Sequence, residues 1–404
     1  MKCIFICRLM NGFETSIKQK KWEPFGSPAI RYMLEYMDQA NDIDLEIIMT
    51  RSFNINHKND DFAPLNNKSF QIDGLKNPIR ILAMPCRWAG RFAFYIREIQ
   101  HAIYLLKRVR NSNPDIVYID RGNVLQAAIL ARFTSVPIVL RMLGIPIDLQ
   151  HALAGTSPFE RLLRWAYKSP FSHVICTGDG SGGKTWMEKA LLPTVTRDVL
   201  LNGVDQINRN REYRKKVSIV LLGRLEEFKG SDFFIESLFY LPQDLLKQTE
   251  VKIIGDGTLK HDLETKVTNS QIADQVKFYG AVLGSQVKNE LAKADIYVCL
   301  NKQGHVSNAN LEAISAECCF VVRNIFGEGM HDEEFDELMP VGTYTSIPKN
   351  AKPSDLAKCL ADLIQSPEKR KEFQTHIAQQ VKPRISSWSE RIELEINLIR
   401  QMAN

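Results

Sequence analysis

The sequence predicts an α/β protein made of two Rossmann-like domains, each built on a parallel sheet. Three observations lead to this prediction. Short β-branched apolar runs alternate with longer helical patterns along the whole chain. The length of 404 residues suits two or three domains, each large enough to bury its own core. A polar, basic stretch without apolar periodicity, residues 206–216, interrupts the alternation near the middle and is expected to be a linker.

The first half, residues 1–205, is assigned to an N-terminal domain. Its first apolar stretch is interrupted by Arg8, so it is too short for a secretory signal and predicts a buried strand. A long amphipathic segment, Phe92–Arg110, separates the third strand from the fourth. The strands expected here are Cys3–Cys7, Leu45–Thr50, Arg80–Met84, Ile116–Ile119, Ile138–Arg141 and Val174–Thr177.

The second half, residues 217–385, is assigned to a C-terminal domain of the same type. Residues 386–404 form a separate helical tail, because Trp388, Ile392, Ile396 and Ile399 recur at helical spacing. Helices are expected at Ser231–Tyr240, Leu259–Val267 and Ser285–Ala294. The strands expected in this half are Val217–Leu222, Val251–Ile254, Val276–Tyr279, Ile296–Leu300 and Phe320–Val322.

Composition excludes several classes of protein. An apolar fraction of 44% and a charged fraction of 25% are those of an ordinary soluble protein. No apolar run approaches the ~20 residues that span a bilayer. The eight cysteines have no CxxC pair and no zinc spacing, so buried thiols in a reducing compartment are expected, with no metal site. The net charge of +5 is too small and diffuse to indicate nucleic-acid binding.

Two local patterns imitate known sites. Residues 178–185, GDGSGGKT, fit the P-loop spacing, in which Lys184 and Thr185 would meet the γ-phosphate and Mg²⁺. A P-loop usually opens its domain, whereas five strands precede this one and no Walker B carboxylate follows, so a flexible glycine-rich loop is favoured. Asp42 and Asp44 have the spacing of metal-binding carboxylates, but they precede a strand. Ligands of open α/β sheets bind at the carboxyl ends of strands, so a solvated turn is predicted.

Two cations follow the first strand of the second half. The strand ends at Gly223, and Arg224 and Lys229 come before the next helix. Cations at the carboxyl end of a strand are suited to phosphate, Arg224 as a bidentate fork and Lys229 as a point charge. The alternative is a pair of surface salt bridges to Glu226 and Glu227.

Two further segments have features of an anion site. A glycine turn, Gly255-Asp256-Gly257, follows the next strand and would leave amides free for an anion, although many strand-to-helix connections carry such a turn. Later, a helix begins near Asn308, where amides could meet a diphosphate. Glu312, one turn further on, could accept two ribose hydroxyl groups, or be an ordinary solvated glutamate.

Together these segments resemble the donor-binding domain of glycosyltransferase family 4, retaining, nucleotide-sugar-dependent enzymes with the GT-B fold. The resemblance is carried by GR-x4-KG, the I-I-G-D-G turn and the S-N-x3-E-A helix start. It extends to Val276–Ala281 (VKFYGA), Ala294–Val298 and the N-G-V-D turn within Leu201–Asp205. It implies two Rossmann-like βαβ domains facing a central cleft, with the C-terminal helix crossing back to the first domain.

The resemblance also implies roles for single residues. Arg224 and Lys229 would be catalytic, neutralising the donor diphosphate as it leaves. Glu312 would hold the ribose, and the amides around Ser307 and Asn308 would assist the phosphates. The donor, a UDP- or GDP-linked sugar, would be a co-substrate, with no obligatory metal or cofactor. The remaining donor-binding candidates are Gly12, Gly223, Gly255, Gly280, Val282 and His305.

One position departs from the family pattern. Gly304, with His305 beside it, stands where family members carry a glutamate that contacts the donor sugar. Two interpretations follow: an unusual sugar, or a catalytically silent homologue that binds a sugar nucleotide or scaffolds glycan assembly. An active enzyme is favoured, because both phosphate cations and Glu312 are present.

The acceptor is expected in the first domain. Arg121, Arg141 and Lys184 each follow an apolar strand and would point to one rim of the sheet, toward an anionic acceptor or into salt bridges. Phe92–Arg110 and Pro158–Lys168 combine aromatics with cations, as membrane-surface helices do, but ordinary core helices also fit.

The two halves of the chain differ in net charge. Residues 1–205 carry a net charge of +7 and the remainder −2. This indicates an anionic membrane surface or lipid-linked acceptor facing the first half. The family resemblance, not the charge, implies a glycosyltransferase of bacterial surface polysaccharide or lipopolysaccharide synthesis, expected to be cytoplasmic and at the inner face of the membrane. A P-loop phosphohydrolase is the least favoured alternative.

Overall fold

The chain folds into two compact units in a computed structural model. Unit 1 comprises Met1–Thr177, Gly183–Leu200 and Ser389–Asn404, and unit 2 comprises Gly178–Gly182 and Leu201–Trp388. Two short segments expected in the first domain, Gly178–Gly182 and the N-G-V-D turn, therefore group with unit 2. Part of the expected linker, residues 210–214, lies outside the described residues. The structure describes residues 1–24, 26–54, 67–86, 91–209, 215–324 and 332–403.

Unit 1 is built on an eight-stranded sheet in the order β3-β4-β2-β1-β5-β6-β7-β8. All neighbours are parallel except β3, which runs antiparallel to β4. The chain leaves β1 toward β2 on one side and returns to β5 on the other. The carboxyl ends of β1 and β5 therefore form the switch point where open α/β sheets bind ligands. The strands are β1 Lys2–Arg8, β2 Asp44–Asn54, β3 Ser69–Phe70, β4 Ile79–Cys86, β5 Ile116–Asp120, β6 Ile138–Met142, β7 His173–Thr177 and β8 Thr196–Leu200.

Helices cover both faces of this sheet, as parallel strands buried on both sides require. A short 3-10 turn, Arg121–Asn123, precedes the fourth of them. The helices are α1 Asn11–Gln19, α2 Pro28–Gln39, α3 Arg91–Ser112, α4 Val124–Phe133, α5 Ile147–Ala152, α6 Pro158–Tyr167 and α7 Gly183–Ala190.

Unit 2 is built on a six-stranded parallel sheet in the order β11-β10-β9-β12-β13-β14, whose switch point lies between β9 and β12. Its strands are β9 Val217–Leu222, β10 Thr249–Ile254, β11 Val276–Gly280, β12 Ile296–Cys299, β13 Cys319–Arg323 and β14 Tyr344–Ile347. Its helices are α8 Ser231–Leu238, α9 Gln243–Leu246, α10 Lys260–Thr268, α11 Gly284–Ala292, α12 Asn308–Ser315, α13 Glu333–Leu338, α14 Pro353–Gln365 and α15 Pro367–His376.

The C-terminal helix, α16 (Trp388–Ala403), packs in unit 1. Its residues Ile392, Ile396 and Ile399 join the apolar cluster on one face of the first sheet. Buried Phe5 of β1 lies in the same cluster, stacked on the Tyr118 ring at 5.0 Å. The expected return of the C-terminal helix to the first domain is confirmed.

A buried ionic cluster fixes α16 to the sheet. Glu395 is fully buried, accepts a hydrogen bond from the Tyr118 hydroxyl at 2.5 Å and pairs with Arg141 Nε at 3.0 Å. Arg391, one turn earlier in the helix, pairs with the other carboxylate oxygen at 2.6 Å. Burial raises the pKa of Glu395, but Arg141 and Arg391 outweigh it and hold the pKa below its usual value.

This cluster corrects the role expected for Arg141. Its side chain has no exposed surface, and its guanidinium also donates to Thr177 Oγ1 at 3.0 Å. Arg141 therefore holds α16 and the end of β7, and its charge is not available to an acceptor.

The seven cysteines with described side chains are free thiols, and all but Cys359 are buried. Among the helices of the described ranges, none combines the length and apolarity that crossing a membrane requires. In the same ranges, no group of three or more His, Cys, Asp or Glu residues is arranged to hold a metal ion.

Candidate active site

Two cations meet at the carboxyl end of β9, at the switch point of the second sheet. Arg224 is exposed and Lys229 is half-buried, and both lie against the ring of Phe228, at 5.4 and 5.2 Å from its centroid. Burial lowers the pKa of Lys229, and the neighbouring Arg224 acts in the same direction, while Cys299 and Asp179 act in the opposite one. The electropositive face of this turn is therefore suited to an anion, which would relieve the repulsion between the two cations.

The nearby carboxylates are engaged elsewhere. Glu226 accepts hydrogen bonds from the amide and the hydroxyl of Thr258, at 3.2 and 2.7 Å. Glu227 pairs with Lys302 at 3.5 Å. Within the described ranges no ion pair joins either carboxylate to Arg224 or Lys229. The geometry thus disfavours the salt-bridge interpretation of these cations.

Glycines let three strands end close together beside the cations. Gly255 has φ +139°, and its amide donates to the Gly280 carbonyl at 2.8 Å. A Cβ at position 255 would overlap the carbonyl oxygen of Gly223, so only glycine fits there. The turn-glycine candidates therefore lie side by side at the ends of β9, β10 and β11. Val282, two residues after β11, is partly buried against the apolar cluster that includes Val220 and Tyr297.

The start of α12 lies across the switch point. Ser307 caps this helix, and its hydroxyl accepts a hydrogen bond from the Asn310 amide at 3.4 Å. Asn308 Oδ1 accepts from Asn202 at 2.6 Å. Buried Asn310 donates to the His305 carbonyl at 2.6 Å and accepts from the Tyr297 hydroxyl at 2.9 Å. Asn310 thereby fixes the preceding loop relative to β12 and orients the first amides of the helix.

Glu312 lies one turn further along α12. Burial raises its pKa to about 7, while Lys288 lowers it and Asp205 raises it. Lys288 itself pairs with Asp205 at 2.6 Å. Within the described chain no residue donates a hydrogen bond to the Glu312 carboxylate. Its oxygens are therefore available to hydroxyl groups of a ligand.

Gly304 packs backbone to backbone against the glycine-rich loop. It has φ +128°, and a Cβ there would lie 2.6 Å from the Asp179 carbonyl oxygen and 2.7 Å from the Gly180 carbonyl carbon. In the reverse direction, a Cβ on Gly180 would lie 2.7 Å from the His305 amide nitrogen. The Val306 amide donates to the Asp179 carbonyl at 3.3 Å. No side chain fits at position 304, because the loop occupies that space.

His305 is held by Asp332. Its amide donates to Asp332 Oδ2 at 2.9 Å, and its Nδ1 lies 3.5 Å from the same oxygen. Asp332 also caps α13, accepting from the Phe335 amide at 3.1 Å, and the Phe335 ring packs on the imidazole at 5.2 Å. His305 is only 3% exposed, so this contact fixes its ring at the base of the loop.

The same loop does not form a phosphate cradle. The Asp179 carboxylate accepts from the Ser181 amide at 3.1 Å, and burial raises the pKa of Asp179, with Asp332 acting in the same direction. Two carboxylates beside the loop oppose an incoming phosphate. The loop groups with unit 2, whereas Lys184 and Thr185 belong to unit 1. The P-loop alternative is therefore disfavoured.

The other candidates lie in unit 1. Gly12 is buried in the first turn of α1, just after β1. Arg121 is half-buried in the turn after β5, and Lys184 is exposed in the first turn of α7. Asp42 precedes the amino end of β2 and pairs with Arg400 at 2.8 Å.

Several residues of the site were not expected from the sequence. Phe228 stands between the two cations along the chain, and an aromatic in that position was the available signal. Asp179 and Asp332 gain their roles through contacts between distant segments, such as the one between residues 179 and 306, whereas Asn310 acts through His305 and Tyr297 of its own segment. No local pattern could have identified them.

Comparison with known proteins connects this geometry to a family. Residues 205–380 match the family described as glycosyl transferases group 1. The chain is 23% identical over 192 residues to an alpha-1,4-N-acetyl-D-galactosaminyltransferase of Campylobacter jejuni, covering 46% of this chain and 52% of that protein. It is 26% identical over 150 residues to the phosphatidylinositol N-acetylglucosaminyltransferase gpi3 subunit of Schizosaccharomyces pombe, covering 36% and 32%. The matched stretches span about half, or less, of these curated relatives.

Solved structures match along nearly the whole chain. Anabaena HepE in complex with UDP has a TM-score of 0.66 at 13% identity, covering 99% of this chain and 100% of that one. The lipopolysaccharide outer core galactosyltransferase WaaB has 0.65 at 15%, covering 99% of both. Sucrose-phosphate synthase of Thermosynechococcus elongatus has 0.67 at 12%, covering 100% and 99%. The GT-B fold and the resemblance to a glycosyltransferase are confirmed. Assignment to family 4 stays a prediction.

Proposed function

We propose that this chain, whose second half matches the glycosyl transferases group 1 family, is a retaining glycosyltransferase. It moves a sugar from a nucleotide diphosphate sugar to a glycan or lipid-linked acceptor, in bacterial surface polysaccharide or lipopolysaccharide synthesis. The observation that carries the proposal is the placement of Arg224 and Lys229, with no carboxylate partner in the described ranges, at the switch point of the second sheet.

The donor is held by unit 2. Arg224 forms a bidentate contact with the diphosphate, and Lys229 adds a second positive charge. The amides at Ser307 and Asn308 face the same phosphates, since a helix N-terminus favours negative charge. Glu312 accepts the hydroxyl groups of the ribose. This arrangement places charge where the diphosphate leaving group becomes more negative, which lowers the barrier most effectively.

The identity of the donor is argued from relatives. HepE has been solved with UDP, with UDP and glucose, and with UDP-glucose. This supports UDP rather than GDP as the nucleotide here. The 178–182 loop occupies the space that a glutamate side chain at position 304 would need. The contact to the donor sugar therefore differs from the one in the family, and the loop at Asp179 or His305 makes it in place of that glutamate.

The acceptor is argued from charge and from surface. The Campylobacter relative is named for a glycan linked through diphosphate to undecaprenol. In unit 1, α3 exposes an apolar stripe made of Phe92, Ile96, Ile99 and Ile103, which is continued by exposed Lys107 and Arg110. Such a helix suits an anionic membrane surface, so we place a lipid-linked acceptor and the membrane on this face of unit 1.

The alternative is a catalytically silent homologue that binds a sugar nucleotide or scaffolds glycan assembly. Gly304, where the family has a glutamate, is the feature that favours it. Donor binding alone does not distinguish the active enzyme from the silent homologue, because both bind nucleotides. Only the active enzyme turns the donor over, so a turnover assay distinguishes them.

A donor screen followed by a turnover assay tests the proposal. Differential scanning fluorimetry would be run with UDP, GDP and ADP, with the hexose conjugates of these three diphosphates, and with ATP. It should show stabilisation by one nucleoside diphosphate and by the corresponding nucleotide sugar. Slow UDP release from the stabilising donor, with the α-anomer of the sugar as the first product by NMR, is the expected result. Binding without any release would favour the silent homologue, and stabilisation by ATP alone would contradict both.

A further inference from the structure

A cavity in unit 1 lies at the switch point of the first sheet. Its volume is about 160 Å³, and its lining includes Arg8, at the end of β1, and Arg121, in the turn after β5. Asp148 of α5 and Tyr167 at the end of α6 also line it. Open α/β sheets bind ligands at this position, so the fold itself marks the cavity as a candidate site.

The hydroxyl group of Tyr167 gives independent support. Tyr167 is 2% exposed, and its Oη has no hydrogen-bond partner in the described chain. Its ring is fixed edge-on to Trp186, with centroids 4.8 Å apart. A buried hydroxyl without a hydrogen-bond partner is unfavourable, because it has lost its hydrogen bonds to water. Because Tyr167 lines the cavity, a polar ligand there would supply the hydrogen bond.

The charges of the cavity balance one another. Arg8 is paired with Glu98, at 3.0 and 3.1 Å from its two oxygens, and Glu98 also accepts from Gln126 at 2.6 Å. Arg121 and Asp148 remain, and within the described ranges no ion pair joins them. A guanidinium group that donates and a carboxylate that accepts, both lining one cavity, are complementary to the hydroxyl groups of a ligand, which both donate and accept. A bare anion would be repelled by Asp148.

Two aromatic rings also line the cavity. Phe94 of α3 and Phe159 of α6 line the cavity, with centroids 5.8 Å apart. Their apolar surface suits the C–H face of a sugar ring. Ligand sites commonly combine such apolar walls with a few placed polar groups. Drug-sized pockets enclose about 300–1,000 Å³, so this smaller cavity suits a single unit of a larger ligand.

We propose that this cavity binds one sugar residue of the acceptor glycan. Tyr167, Arg121 and Asp148 hydrogen-bond its hydroxyl groups, and Phe94 and Phe159 pack against its ring. The proposal rests on the proposed function, because it assigns the acceptor of the same transfer reaction to a defined place in unit 1.

Binding of small glycosides by the full chain tests the proposal. Saturation-transfer difference NMR would be run with the methyl glycosides of glucose, galactose, N-acetylglucosamine and N-acetylgalactosamine, with inorganic phosphate as competitor. We expect at least one glycoside to bind. Its Kd should rise at least threefold in Tyr167→Phe, which keeps the ring contact, and in Asp148→Asn. Matched controls, exposed Tyr240→Phe and exposed Asp73→Asn, should bind like wild type.

Each other outcome overturns the proposal. Failure of the whole panel to bind, equal binding by the wild type and both cavity variants, or displacement of the glycoside by inorganic phosphate would contradict a sugar site. UDP binding, measured on the same samples, keeps the two proposals apart. Glycoside binding that depends on Tyr167 without any UDP binding would refute the proposed function and leave the sugar site standing.

Discussion

At the scale of single residues, the buried carboxyl group of Glu312 makes the proposed donor binding depend on pH. Burial raises its pKa from 4.5 to about 7, so the ionised form, which we propose accepts the ribose hydroxyl groups, is a minor species at pH 6 and dominant at pH 8. If only that form binds well, UDP affinity should rise about tenfold between these pH values. In Glu312→Gln the rise in UDP affinity that is due to ionisation of this residue should be absent. Isothermal titration calorimetry between pH 6 and pH 8 measures the UDP affinity of both proteins.

The same pKa shift predicts a change in stability with the opposite dependence on pH. The folded state binds the Glu312 proton more tightly than the unfolded chain does. The contribution of this bound proton to the free energy of unfolding is complete below about pH 4.5, and it is lost as the pH rises through 7. Without ligand, Glu312→Gln should therefore be more stable relative to wild type at pH 8 than at pH 5. A constant difference in the free energy of unfolding would contradict the buried environment described for this residue.

Gly304 allows a test of the loop contact. Gly304→Glu restores the family residue, but its Cβ would meet the Asp179 carbonyl at 2.6 Å and its backbone has φ +128°. We expect a loss of about 1–3 kcal/mol in the free energy of unfolding, measured by chemical denaturation.

A glycine in open space provides the matched control for that variant. No atom lies within 4 Å of a Cβ at Gly284, in the first turn of α11, so Gly284→Ala should be neutral or slightly stabilising. If Gly304→Glu were as stable as the control, the 178–182 loop would not pack against Gly304 as described.

The sequence predicted the local part of the site and missed the long-range part. Arg224, Lys229, Ser307 and Glu312 follow strands or begin a helix, and such positions can be found from patterns along the chain. The burial of Arg141 could not be predicted. Its partner Glu395 is distant in sequence, and an arginine after an apolar strand has the same local pattern whether it is exposed or buried.

At the scale of elements, the sequence predicted the central strands and missed three at or near the sheet edges. β3 has two residues, β8 is only partly buried along its length, and β14 is a sheet edge. Strands buried on both faces form continuous apolar runs, which are easy to recognise. A strand with only one neighbour, or with a solvated face, needs fewer apolar residues and therefore gives a weak signal.

The attachment of α16 is predicted to depend on Glu395. Glu395→Ala leaves Arg141 and Arg391 buried without their counter-charge, so we expect a loss of about 3–5 kcal/mol in the free energy of unfolding. Urea denaturation followed by tryptophan fluorescence would measure it, because four of the five tryptophans fall within the ranges of unit 1. Glu393→Ala, exposed on the same helix, is the control and should change stability little. Equal effects of the two substitutions would contradict the role of the cluster.

At the scale of the whole molecule, the net charge of +5 divides unevenly. Residues 1–205 carry +7, and the exposed stripe of α3 lies within them. We expect the full chain to sediment with vesicles that contain phosphatidylglycerol. Ile99→Asp with Ile103→Asp should weaken this binding at least tenfold, since both side chains are at least half exposed.

A control variant in unit 2 distinguishes vesicle binding through the α3 stripe from nonspecific binding by exposed apolar side chains. Leu283 is 79% exposed, so Leu283→Asp makes the same kind of change outside the stripe and should leave vesicle binding intact. Charge reversal of Arg161, Arg164 and Lys168 tests α6 in the same assay. Binding that survives this reversal excludes α6 as the anchor, and binding that also survives both α3 substitutions contradicts membrane contact through this face.

The claim on which the whole account depends is that unit 2 binds a nucleotide diphosphate through Arg224 and Glu312. Calorimetric titration of UDP at pH 8 into wild type, Arg224→Ala and Glu312→Ala tests it directly. Exposed Lys247→Ala and Glu372→Ala serve as controls. We predict that each site variant loses at least tenfold in affinity, about 1.4 kcal/mol, while the controls match wild type. Wild-type affinity in both site variants would contradict the account, as would ATP binding without any binding of nucleotide diphosphates.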